Sequence, residues 1–397
     1  MADNKRQHFV PKYVLRHFST DASAKRINLF HIPSMKMIRG ASLREQCYRE
    51  YFYGDDLEVE KNLSVIEGAQ ANLLRELIQS KGISGRKLPE IPLFLAMQYG
   101  RTLRSAEDQS DRFEAMAKLC LSGSFDEDAL RSVRIRVENS STLSTANAIK
   151  TSPLLYDLQQ VLIENKTKIP FVISDHPVVI TNWFCRRRFP SNHGTGLAAA
   201  GLQIFMPISP KFSLMLLDAG TYRIADKCGY LLLTKGKDVH GLNALQWINA
   251  DKVIYVPQDL EETQLKSLTM TTGRKDRRFE FTRADKLADG TGFAVTDKDE
   301  YAAPTEGARS ELVVIGGTKP AKDIRFSGLD LKSRPQFYDD GSMVSPLRDP
   351  YWLQIVEDFI GNDTGIQQPH SDFAAFVASH PLEPYIGQRL RQYRNSN

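Results

Sequence analysis

Cysteine is scarce in this chain of 397 residues: the four present, Cys47, Cys120, Cys185 and Cys228, stand far apart and form no C-x-x-C pair. That spacing excludes a zinc ribbon and a disulfide framework and leaves free, buried thiols as the expectation. Long apolar runs are missing as well. No segment approaches the roughly 18 uninterrupted apolar residues that a membrane span needs, and the start, MADNKRQHF, lacks the apolar region of a secretory signal. Cytoplasmic residence without a membrane partner is the expectation. Charge of one sign is not in excess, since 52 Lys and Arg face 48 Asp and Glu for a net of +4, so any nucleic-acid-binding surface has to be local. Motifs that announce a reaction are absent too: no G-x-S-x-G, H-E-x-x-H, P-loop or G-x-G-x-x-G occurs.

What is present is enough apolar material, 41% of the residues, for a full core and for two domains or one domain with an extension. The N-terminal stretch QHFVPKYVLRHF, Gln7 to Phe18, carries aromatics, Pro and Arg on one amphipathic turn-and-helix, with a histidine at its entrance. RINLFHIPSMKMI, from Arg26, reads as a short hairpin turning near Pro33 and Ser34. Asp55 and Asp56 then stand as capping signals before a helix over 57–79, whose apolar positions Val59, Leu63, Ile66, Leu73, Leu74 and Leu77 share one face. Residues 89–107 are apolar nearly all round in their first half and predict a buried helix, with more helix over 111–121 and 126–138.

From about Pro170 the period changes. PFVISDHPVVITNW, LQIFMPISP and KFSLMLLD are short runs rich in Val, Ile and Phe, which are strand signals; a helix over 239–246 and a closing strand at 252–257 follow. The expectation is an α+β fold in which a helical N-terminal half, 57–138, packs on a mostly antiparallel sheet from 170–257. Residues 1–257 form the core domain in this reading. The charged, Gly- and Pro-containing remainder, 258–397, is a loop-rich extension or small second domain, with a strand-like ELVVIGG and a last helix near 352–360.

Five segments in order, QHFVPKYVLRHF, YFYGDDLEVEKNLSVIEG, FLAMQYGRT, ISDHPVV and FMPISPKFSLML, carry a resemblance. Over residues 7–257 the chain resembles the bacterial family called domain of unknown function 4238, through its opening H-x-V-P-x-x-x-L-x-x-F segment and a later S-D-x-P-V. The resemblance implies a shared fold and shared polar positions, and no activity.

The chemistry therefore has to come from the residues. Glu60 and Glu67 are two turns apart on the long helix, at the margin of its apolar stripe. Gln98 and Arg101 lie three apart on the helix that is apolar almost all round, and a buried guanidinium has to meet a carboxylate; Glu67, Glu60 and Asp175 are the candidates. Asp175 sits in a turn between two strand runs, where it either bonds backbone amides or faces a cleft, binding metal or orienting His8. His176, extended before Pro177, is expected to point away from Asp175 and ranks below His8. His8 is the candidate general acid or base, with Gln7, Arg16 and Gln98 as binding residues beside it.

Two functions fit that set. In the leading one the protein is an enzyme acting on a phosphodiester, a nuclease of defence or toxin type: His8, Glu67 and Arg101 are catalytic, and Glu60, Glu67 and Asp175 hold Mg²⁺ or Mn²⁺. The basic runs Arg186 to Arg188 and Arg274 to Arg278 would then favour nucleic acid or a nucleotide as partner. In the other, the same polar residues form a non-catalytic module that binds or senses a ligand or nucleic acid. Convergence of the carboxylates on one point favours the first, and a closed Arg–Glu pair with no solvent access favours a structural or binding role.

Overall fold

Residues 7–18 do not trail into solvent. Strand β1 (Arg6–His8) leads through Pro11 into the short helix α1 (Lys12–Arg16), and Val10, Val14, Leu15 and Phe18 are fully buried, which pins the whole segment into the core. The expected hairpin follows as β2 (Arg26–His31) and β3 (Lys36–Ser42), turning at residues 32–35 with Met35 in the left-handed region. Strand β4 (Tyr48–Glu50) returns antiparallel to β1, setting Gln7 opposite Arg49 and His8 opposite Tyr48. The computed structural model describes residues 5–257, apart from 56, 82, 84–87, 122–124, 190–193 and 226–228. Beyond 257 it describes 260, 263, 265, 280–286, 293–295, 310–315, 326–339, 345–362 and 369–386.

The long helix is present as α2 (Glu58–Ser80), but its cap is not the expected one. Leu57 stands at the N-cap in the left-handed region with no side-chain hydrogen bond, and Asp56 lies outside the described residues. The stretch 89–107 is two helices rather than one. Helix α3 (Glu90–Gly100) ends at Arg101, and the Thr102 hydroxyl accepts from the Ser105 amide at 3.3 Å to start α4 (Leu103–Leu121), so a side-chain cap cuts the apolar run. After α5 (Glu127–Ser132) the chain is non-helical at 133–137, where more helix was expected, and then forms α6 (Ser140–Thr151). Its sequence, STLSTANAIKT, is poor in helix formers. Tertiary contact offsets that: Gly100 lets the backbones of α3 and α6 meet, a Cβ there would lie 2.4 Å from Ala148 Cβ, and the Ser144 hydroxyl donates to the Gly100 carbonyl at 2.7 Å.

The β region begins earlier than Pro170, at β5 (Gln159–Asn165), and continues through β6 (Ile173–Ser174), β7 (Val179–Thr181), β8 (Gln203–Pro207), β9 (Phe212–Leu217), β10 (Tyr222–Ile224) and β11 (Tyr230–Leu233). Between β7 and β8 the basic run Arg186 to Arg188 is the last turn of a short helix, α7 (Trp183–Arg188), where cations suit the negative helix end; Arg188 lies over the ring of Phe337. The run 274–278 is outside the described residues. Helix α8 (Gly236–Asn249) and strand β12 (Val253–Val256) follow.

Five strands in the order β11-β5-β9-β8-β7 make the larger sheet, antiparallel except for the β11–β5 pair. The other sheet, β3-β2-β12-β6, is antiparallel throughout, so the fold is α+β as the change of period predicts. Alternation explains why the larger sheet reads as apolar runs. Leu162, Leu214, Leu216, Ile204 and Met206 face the N-terminal segment and the helices α2 and α3, while Val161, Ile163, Met215, Leu217 and Phe205 face α7 and α8, so both faces are buried.

Beyond 257 the described residues include a three-stranded sheet of β13 (Glu280–Lys286), β14 (Phe293–Val295) and β15 (Ser310–Ile315), the last covering ELVVI. Strand β16 (Leu329–Leu331) pairs with β10, and helices α9 (Pro350–Gly361) and α10 (Pro369–Ser379) pack through aromatic residues. Arg348 ties this part to the core: it grips Asp157 through both carboxylate oxygens, at 2.9 and 3.0 Å, and donates to the carbonyls of Leu154, Leu197 and Ala199. Of the cysteines, Cys47 and Cys185 are buried free thiols as expected, Cys120 is exposed instead, and Cys228 lies outside the described residues.

Candidate functional site

The N-terminal segment, α2 and α3 meet along a polar seam inside the core. Arg101 is at its centre and only 2% exposed. Its Nη2 meets Glu67 Oε1 at 2.7 Å and donates to the His8 carbonyl at 2.9 Å, while Nε donates to the Tyr53 hydroxyl at 3.2 Å. The tyrosine returns the contact by donating to the Arg101 carbonyl at 3.1 Å. Burial opposes the charge, yet Tyr53 and Glu67 hold the guanidinium above its ordinary pKa, so it stays ionised. One turn earlier on α3, Gln98 Nε2 donates to the Phe9 carbonyl at 3.1 Å, so two side chains of one helix hold consecutive carbonyls of the N-terminal segment. Gln7 fixes the segment from its other side, donating to the Gly54 carbonyl and accepting from the Tyr53 amide.

Glu60 belongs to the same seam. Burial and the neighbouring Glu67 charge raise its carboxyl pKa, against the pull of Arg101 and Lys12. Among the described residues, three buried polar atoms here have no hydrogen-bond partner: Arg101 Nη1, Gln98 Oε1 and Glu60 Oε2. Each such orphan costs about 1–3 kcal/mol. Glu67, with its side chain 28% exposed, is where the seam reaches solvent.

His8 is placed differently from the expectation. Strand alternation sends Gln7 inward, and the His8 imidazole turns to the Arg44 carbonyl, 3.3 Å from Nε2, and to the Tyr48 ring; what it offers Arg101 is its backbone carbonyl. Burial, with Lys12 nearby, lowers its pKa to about 4. Folding therefore favours the uncharged ring, a contribution fully present above pH 6.5 and lost as pH falls towards 4, worth up to about 3 kcal/mol. Urea unfolding of the protein and of His8→Gln across that window checks this: the advantage of the native histidine should shrink on acidification, and a constant difference would rule it out. Comparing the two chains cancels the opposite slope of Asp175, whose pKa burial raises.

Asp175 and Arg16 are not brought to the seam. Asp175 Oδ1 accepts the Asp251 amide at 2.8 Å and Oδ2 accepts those of Lys252 and Val253 at 2.7 and 3.0 Å, so its carboxylate caps the entry to β12. Burial pushes its carboxyl up to about 6 in spite of those three donors. Arg16 stays exposed in the last turn of α1. The metal trio of Glu60, Glu67 and Asp175 is thus not assembled, and among the described residues no three His, Cys, Asp or Glu side chains are gathered to hold a metal ion.

Several side chains that matter here escaped the sequence reading. His176, ranked below His8, has its Nδ1 2.7 Å from the Thr102 hydroxyl, next to Arg101 in the chain, and its ring meets Tyr99 at 5.1 Å. Amides on α8 at three-residue spacing, Asn243, Gln246 and Asn249, bond the backbone of 170–178 on both its N–H and C=O sides, and so hold the S-D-H-P turn rigid. That spacing was visible in NALQWIN. Tyr53, in the YFYG segment, carried no periodic signal.

The chain is thus an α+β protein whose opening segment is clamped over a buried arginine. The family model described as "Protein of unknown function (DUF4238)" matches residues 6–259, and the chain belongs to that family. No curated protein and no solved structure matches it. Among the described residues no helix is long and apolar enough to cross a membrane.

Proposed function

We propose that the protein is a recognition module that binds a polar ligand by parting the seam between its N-terminal segment and α2–α3, and that the segment acts as the clasp. The observation that carries this is that three side chains of the seam, which also holds the Arg101–Glu67 pair, each bury one atom without a hydrogen-bond partner among the described residues: Arg101 Nη1, Gln98 Oε1 and Glu60 Oε2. Unpaired polar atoms penalise the closed state, so a ligand that offers one acceptor and two donors gains what the closed seam forgoes. The charge balance speaks against a phosphate here. One guanidinium faces two carboxylates, and an anion would be repelled unless Glu60 took up a proton.

The phosphodiester-cleaving reading keeps one specific support: Glu60, raised by burial and by Glu67, stands next to a carboxylate held by Arg101, a pairing that separates a general acid from a fixed charge. One screen tests both readings. Thermal melting with nucleosides, nucleotides and amino acids should give a stabilising shift for a neutral donor-bearing ligand, and Gln98→Met, which retains volume, should abolish it. No shift from any of them would overturn the recognition reading. Incubation with DNA, RNA and nucleotides, with and without Mg²⁺ or Mn²⁺, should release no product; turnover that falls at least about 100-fold in Glu60→Gln would instead establish catalysis at the seam.

A further inference from the structure

Helices α9 and α10, with the turn that follows α10, border an open surface cleft of about 450 Å³ lined by Glu357, Asp358, Asn362, Phe376, Ser379 and His380. It is built from elements that take no part in the Arg101 seam. Both helices end at it, one at Gly361 and the other at Ser379, so the carbonyl ends of two helix dipoles add negative potential to that of the two carboxylates. The Asp358 carboxylate is held in place. Oδ1 accepts from Gln354 Nε2 at 2.9 Å and Oδ2 from His380 Nε2 at 3.0 Å, which keeps Asp358 charged below the ordinary carboxylate range.

His380 Nδ1 accepts the Leu382 amide at 3.1 Å, so Nε2 carries the proton and both ring nitrogens are engaged. A histidine so engaged has no lone pair left for a metal ion, and no metal-ligating trio exists among the described residues. The ring of Phe376, packed against His380 at 5.4 Å between centroids, adds an aromatic wall. Carboxylates, helix carbonyl ends and an aromatic ring together suit a cation that is large, weakly hydrated and able to donate several hydrogen bonds.

We propose that this cleft binds a monovalent organic cation, a guanidinium or primary ammonium group, between Glu357 and Asp358 and against Phe376. The volume falls within the range of small-molecule sites and leaves room for such a group together with the chain that carries it. Such a group comes either from a free amine or from an arginine or lysine side chain of a partner, and the two sources present the same chemistry.

Calorimetric titration of the full chain at low salt with butylguanidine, with N-acetyl-arginine methylamide and with its neutral isostere N-acetyl-citrulline methylamide tests the proposal. Butylguanidine or the arginine compound should bind, and the citrulline compound should bind at least about tenfold more weakly, or not at all. Butylguanidine alone binding assigns a free small cation, and tighter binding of the arginine compound assigns a partner side chain. Asp358→Asn should weaken binding about tenfold. Glu357→Gln, whose carboxylate makes no hydrogen bond or ion pair among the described residues, gives a second reading with the melting temperature unchanged. Absence of binding by both cations, or equal binding of the citrulline compound, or full affinity in both variants would overturn it.

Discussion

Replacing Arg101 by alanine should lower the stability of the protein by about 3–5 kcal/mol, measured by urea unfolding. The guanidinium is 2% exposed, and it satisfies a carboxylate, a carbonyl and a phenol that come from three different elements. Truncation leaves Glu67 without its counter-charge, the His8 carbonyl without its donor and a void behind both. Glu67→Gln should cost less, about 1–2 kcal/mol, because the amide still offers Arg101 an acceptor, Glu60 remains nearby as a counter-charge, and Glu67 itself touches solvent. Since the two residues are partners, Arg101→Ala with Glu67→Ala should destabilise by less than the sum of the single changes. An Arg101→Ala protein that melts with the parent would remove the seam as an organising feature of the fold.

Asp175→Ala should be comparably damaging, at about 3–5 kcal/mol, although among the described residues no cationic side chain is in hydrogen-bond contact with it. Three backbone amides, those of Asp251, Lys252 and Val253, give their protons to this one carboxylate where the chain enters β12. Strand β12 lies between β2 and β6, so loosening its entry reaches both the N-terminal hairpin and the S-D-H-P turn. Asp175→Asn should be milder, about 1–3 kcal/mol: one oxygen can still serve the amides of Lys252 and Val253, while the new NH₂ faces the Asp251 donor. Calorimetric titration with Mg²⁺ and Mn²⁺ separates this capping role from a ligand role. Any divalent-ion binding by the native chain should persist in Asp175→Asn; its loss there, with the fold retained, would restore Asp175 as a metal ligand.

Much of the architecture was legible because it follows from local periodicity. The apolar stripe Leu63, Ile66, Leu74 and Leu77 places α2 within one residue of its observed bounds, and the short Val- and Ile-rich runs mark β7, β8, β9 and β12. Where local preference and tertiary packing disagree, the reading fails in an understandable way. Helix α6 is rich in Ser and Thr, and it exists because Ser141, Ser144 and Thr142 find carbonyls on neighbouring segments and because Gly100 allows close approach. The continuous helix expected over 89–107 is interrupted because Thr102 spends its hydroxyl on the next helix and on His176, a partner 74 positions away.

The candidate site divides along the same line. That Arg101 had to meet a carboxylate followed from the sequence alone, since an ionised guanidinium on an apolar helix cannot stay buried unpaired. Which carboxylate it met was decided by tertiary structure. Glu67 lies on the α2 face that meets α3, whereas Asp175 is drawn to amides 76 to 78 positions further along the chain. Likewise the sequence determined that residues 7–18 would be held in the core, through Val10, Val14, Leu15 and Phe18. The pairing of β1 with β4 decided that Gln7 faces the Arg101 seam while the His8 imidazole is buried on the opposite side, against Arg44 and Tyr48, because a strand shows alternate residues to opposite sides and only its partner settles which side meets the seam.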